Sequence, residues 1–80
     1  MKLPRDIGGR QLAKLLERYG YRVTRQTGSH LRLTTTLGGE HHITIPGHEA
    51  LRVGTLSAIL QEVATHLDRD RSVLVQDLWG

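Results

Sequence analysis

The chain has 80 residues, with 11 Lys plus Arg against 8 Asp plus Glu and a formal charge of +3, so one domain spanning residues 1–80 is expected and a second core could not be filled. Hydrophobic content of 38% with 4% aromatic, no Phe and no Cys implies a modest aliphatic core, and it excludes disulfides, thiolate catalysis and Cys-ligated metal sites. Met1–Asp6 leads into no apolar stretch and runs such as Ala58-Ile59-Leu60 are short, which argues against a signal peptide and a membrane span and favours a reducing cytoplasm.

Gly8-Gly9 precedes the first periodic segment. Leu12, Leu15, Leu16 and Tyr19 fall at i, i+3, i+4 and i+7 and share one helical face, and Gly20 suits a left-handed helix end. Arg10, Lys14 and Arg18 recur every fourth residue and form a cationic ridge beside that face. Like charges at this spacing repel slightly, which costs little if phosphates run past them. The ridge belongs to a wider asymmetry. Residues 1–32 carry eight cations and two carboxylates, net +6, whereas residues 33–80 carry three and six, net −3. A polyanionic partner at the N-terminal elements is the implication.

Tyr21 to Gln26 alternates, with Tyr21, Val23 and Arg25 on one face and Arg22, Thr24 and Gln26 on the other. A tight turn at Thr27-Gly28 leads to a second strand, His30–Thr35, with Leu31, Leu33 and Thr35 opposite His30, Arg32 and Thr34. Leu37-Gly38-Gly39-Glu40 turns into a third, His41–Ile45, with His41, Ile43 and Ile45 opposite His42 and Thr44. Alternation predicts a sheet buried on one side, and the short loops predict an antiparallel meander. Pro46-Gly47 ends the strand, and a loop of about ten residues carries His48 and Glu49. Thr55 is the expected N-cap of a helix whose apolar face is Leu56, Ile59, Leu60, Val63 and Leu67. Asp68 or Asp70 caps a last short helix with Leu74 and Leu78 one turn apart. The resulting class is α+β: a two-layer α-β-β-β-α domain with helices on one face of a three-stranded antiparallel sheet, the element order of the double-stranded-RNA-binding fold.

Gly28-Ser29-His30 is the sharpest local feature. A histidine following a glycine turn at the start of a strand, on the side away from the leucines, is exposed and can exchange a proton near neutral pH. Taken alone, a plain surface histidine is the commoner meaning of such a residue. His41 and His42 are adjacent in a strand and point to opposite faces, so they do not share an ion. With no paired carboxylate at matched spacing, no metal is expected. Ser29 and His30 diverge on an extended segment and no orienting acid is apparent, which makes a serine triad improbable.

Gly28-Ser29-His30, then Ile45-Pro46-Gly47-His48, then Gly54-Thr55-Leu56 followed by Ile59-Leu60 resembles the HicA (YcfA-like) toxin family, over residues from about 7 to 67. The resemblance implies a double-stranded-RNA-binding-like fold, a metal-independent endoribonuclease acting on mRNA without a cofactor, and inhibition by a HicB-type antitoxin. It implies that His30 is catalytic. Arg10, Lys14, Arg18, Arg22, Arg25 and Arg32 are then the candidate RNA contacts, with Ser29 and His48 as possible auxiliaries. The alternative is a non-catalytic RNA-binding module on the same scaffold.

Overall fold

A computed structural model describes residues 3–80. The elements run α1 (Gly9–Leu15), a 3-10 turn (Leu16–Tyr19), β1 (Arg22–Thr27), β2 (His30–Thr35), β3 (His41–Pro46), α2 (Val53–Leu67) and α3 (Arg71–Trp79). The three strands form one antiparallel sheet in the order β1-β2-β3. Helices cover one face. Leu31, Leu33, Thr35, Ile43 and Ile45 are buried beneath them, while His30, Arg32, His42 and Thr44 stay exposed on the other side. The α+β two-layer architecture is therefore that of the double-stranded-RNA-binding arrangement.

The helix faces assemble as their periodicity dictates. Leu12, Leu16 and Tyr19 of the first segment and Leu56, Ile59, Leu60 and Val63 of α2 are buried in one cluster with the sheet leucines and isoleucines. Each such side chain contributes roughly 1.5–3 kcal/mol by leaving water. The last turn of the first helix tightens to 3-10 form and stops at Gly20, whose φ is +81°. Thr35, the one buried polar residue of the core face, is satisfied: its hydroxyl donates to the Tyr19 carbonyl at 2.7 Å and accepts the Leu37 N–H at 3.1 Å. Burying that hydroxyl unpaired would have been costly.

The starts of β1 and α2 differ from the sequence expectation, whereas the cap of α3 falls on Asp70, one of the two residues expected. β1 begins at Arg22, because the N–H of buried Tyr21 is taken by the Leu16 carbonyl at 3.3 Å as the helical segment ends. The N-cap of α2 is Arg52, not Thr55; Leu51 is buried and its N–H bonds the Ile7 carbonyl at 2.7 Å, so tertiary packing starts the helix early. Asp68 is the left-handed C-cap of α2, and Asp70 is the N-cap of α3 without a side-chain cap bond. α3 is tied to the first helical segment as well as to α2. Leu74 and Val75 enter the core, the Tyr19 hydroxyl donates to Asp77 at 2.7 Å, and Arg71 bonds Ser57.

Candidate active site on the open face of the sheet

β2 and β3 register so that His30 lies opposite Pro46, Arg32 opposite Thr44 and Thr34 opposite His42, all outward from the core. On the other side Thr27 lies opposite His30, and Arg25 opposite Arg32. The ladder slips between Val23 and Arg25. This bulge overturns the simple alternation expected for β1. Val23 stays opposite Leu33, while Arg25, two residues on, lies opposite outward-facing Arg32. A bulge inserts one residue on one strand, so it redirects every side chain beyond it.

His30, Arg25, Arg32, Thr27 and Thr44 consequently line one open cavity of about 300 Å³. His30 is exposed, and its ring takes part in no hydrogen bond among the described residues. Two cationic guanidiniums, two hydroxyls and an unengaged imidazole in one surface dent suit a phosphodiester. The arginines can stabilise charge on phosphoryl oxygens, and the imidazole can move a proton.

The backbone around His30 is stitched together by close approaches. The Gly47 N–H donates to the Ser29 carbonyl, and the Gly9 N–H donates to the His48 carbonyl at 2.9 Å. A methyl group on Gly9 would collide with the Pro46 carbonyl oxygen, and one on Gly47 with that of Ser29. These glycines are there for contact between segments far apart in sequence. They hold the loop after β3 against both the Gly28-Ser29 turn and the start of α1. The His48 backbone is thus held by Gly9, one residue after the Gly47 contact with Ser29, and the Ser29 and His48 side chains are both exposed.

A family model described as HicA toxin of bacterial toxin-antitoxin matches residues 9–64, from the start of α1 to near the end of α2. The chain belongs to the HicA toxin family. That membership brings the role of toxin and a toxin–antitoxin partner. No curated protein and no solved structure matches the chain. The matched segment holds all three strands and both glycine contacts, so the open face of this HicA toxin lies wholly within it.

The cationic residues come from two layers. Arg22, opposite Thr34, continues the open face beyond Arg25 and Arg32. The ridge on the first helical segment belongs to the other layer. Arg18 forms an ion pair with Asp77 at 3.3 Å and also donates to its backbone carbonyl. Lys14 lines a separate cavity with Pro4, Arg5 and Trp79. Arg10, one residue past Gly9, is exposed. Of the six candidate RNA contacts, Arg22, Arg25 and Arg32 are thus on the sheet, and Arg10, Lys14 and Arg18 are on the first helical segment.

The remaining histidines are engaged. His42 is held on the open face, its Nε2 at 3.0 Å from Glu40 and its Nδ1 at 2.8 Å from the Thr34 hydroxyl. His41 points the other way. Its Nδ1 meets the Tyr21 hydroxyl at 2.7 Å, and its ring stacks on His66 at 4.3 Å. Burial, then the neighbouring His66, pushes the His41 pKa below its usual 6.5. Burial pushes Tyr21 up to about 12, helped by Glu62. Thr27 and Thr44 were not singled out by sequence motifs; the outward half of the strand alternation was the only signal for Thr44, and strand register was needed for Thr27. Among the described residues no three His, Asp or Glu side chains are grouped to hold a metal ion, and no described helix is long and apolar enough to cross a membrane.

Proposed function

We propose that this toxin is an mRNA-cleaving endoribonuclease in which His30 serves as general base or acid. The reading rests on one observation: an exposed imidazole with no hydrogen-bond partner among the described residues shares a cavity with Arg25 and Arg32 on the uncovered face of the sheet. His30 takes the proton of a substrate 2′-hydroxyl as that oxygen forms its bond to phosphorus. Arg25 and Arg32 offset the charge that develops on the phosphoryl oxygens. The bond from phosphorus to the 5′ oxygen breaks, and that oxygen gains a proton from water or from His48. The products are a 2′,3′-cyclic phosphate and a 5′-hydroxyl. DNA, which lacks the 2′-hydroxyl, is not a substrate.

A HicB-type antitoxin then inhibits the toxin by covering the cationic open face, and the pair acts in the cytoplasm. An acidic surface on the antitoxin gains both steering and occlusion from one patch. Incubating purified protein with RNA in EDTA, followed by end-group analysis, tests the chemistry. A cyclic phosphate and a 5′-hydroxyl are expected. A 5′-phosphate, or cleavage that EDTA abolishes and a divalent ion restores, means hydrolysis by a metal-activated water. Tight RNA binding without cleavage makes the protein an RNA-binding module instead.

A further inference from the structure

The open face has a second end. Four side chains there form one hydrogen-bonded chain: Glu40 to His42 at 3.0 Å, His42 to Thr34 at 2.8 Å, and Thr34 to Thr24 at 2.9 Å. The carboxylate only accepts, so the His42 Nε2 carries a proton toward Glu40, and Nδ1 pairs with the Thr34 hydroxyl. Both ring nitrogens are occupied, which leaves the ring face as what His42 presents. This differs from His30, whose ring edges are unbound. His30 and Thr34 are separated along β2 by about 13 Å, taking a rise of about 3.3 Å per residue. That distance is too great for both histidines to act on one phosphate, and a single strand covers it in a few nucleotides.

The second end differs in holding a carboxylate, alongside Arg22, which lies opposite Thr34. The three strands contain no Asp or Glu. Glu40, immediately before β3 and largely exposed, supplies the carboxylate bonded to the open face. A carboxylate repels phosphate but accepts hydrogen bonds from a nucleobase amino group. One Glu40 oxygen is bound to His42, and the other is available. An imidazole face is a stacking platform for an unpaired base.

We infer that Glu40, His42 and Thr34 form a base-reading subsite, in which a single-stranded nucleobase stacks on His42 and donates its amino group to Glu40. The subsite favours amino-bearing bases over uracil at one position a few nucleotides from the scissile bond. The inference rests on the RNA-directed reading of the open face, whereas its readout is binding and does not need cleavage.

The test uses short single-stranded RNAs differing at one position, titrated against the full chain carrying His30→Ala so that nothing is cut. Fluorescence anisotropy should reveal one position where uracil weakens binding at least about fivefold. Adding Glu40→Gln or His42→Ala should remove that preference, and His42→Phe should retain the stacking part of the affinity. Circular dichroism of each variant separates this from unfolding. A preference that survives both changes, or a uniform loss at every sequence, overturns the subsite. So does a result in which these changes weaken only the antitoxin complex, because this end of the sheet would then be a protein contact. Base preference without cleavage by the unmodified protein would leave the subsite standing and defeat the nuclease reading; cleavage with unaltered preferences would do the reverse.

Discussion

His30 and His41 stand at the starts of neighbouring strands and have opposite surroundings. His30 is on the open face, exposed and unbonded, with Arg25 and Arg32 for neighbours. His41 is on the covered side, bonded to buried Tyr21, stacked on His66 and 3.7 Å from Glu62. His66 in turn reaches the Leu37 and Gly39 carbonyls at 2.9 and 3.1 Å, so it fastens the end of α2 to the turn before β3. The contrast teaches that one residue type is left free on the open face and becomes structural where its ring nitrogens and faces are used. Residue identity does not distinguish the two sites; the strand face does.

The largest effect should come from exchanging those roles. His30→Ala should lower RNA cleavage by about 10²–10⁴-fold and leave the melting temperature unchanged, since its side chain supports nothing. His41→Ala should do the reverse. It strands the buried Tyr21 hydroxyl, a loss of about 1–3 kcal/mol, while cleavage by the folded fraction persists. Thermal melts and rate measurements on both variants decide the point, and a His41 variant that folds normally yet cannot cut would erase the distinction.

A smaller effect should separate the two sets of arginines. Replacing Arg25 or Arg32 with Ala should weaken RNA binding and reduce the salt slope by about 0.7 per lost phosphate contact. Arg18→Ala should leave that slope alone, because its guanidinium is held by Asp77 in the helical layer. Its exposed ion pair contributes little to stability. Equal slopes for all three variants would mean that RNA wraps around both layers.

The smallest effect is a pH dependence of folding. Burial and His66 hold the His41 pKa below 6.5, with Glu62 opposing and His42 adding slightly. The unfolded chain then takes up a proton near pH 6.5 that the folded chain refuses. Stability from this site is complete above that pH and declines as pH falls from 6.5 toward the folded value. Denaturant midpoints measured between pH 8 and pH 5 should fall for the wild type, and His41→Gln should flatten that part of the profile. A midpoint that rises on acidification would show that Glu62 outweighs burial.

Local chemistry along the chain was enough to specify the element order, the helical faces, the inward and outward halves of β2 and β3, and the prominence of His30. Period-two and period-3.6 patterns are set by backbone geometry, so they can be read without knowing what packs where. Gly28-Ser29-His30, Ile45-Pro46-Gly47-His48 and Gly54-Thr55-Leu56, taken together and in that order, indicated the HicA family, which the family match bears out. What the tertiary structure decided is which distant residues meet. The bulge in β1 brings Arg25 across from Arg32, and nothing in Arg22–Thr27 announces where a ladder slips. Asp77 in α3 claims Arg18. Gly9 and Gly47 are small because Pro46 and Ser29 press against them. Each of these depends on a contact between segments remote in sequence, and local periodicity carries no information about the partner.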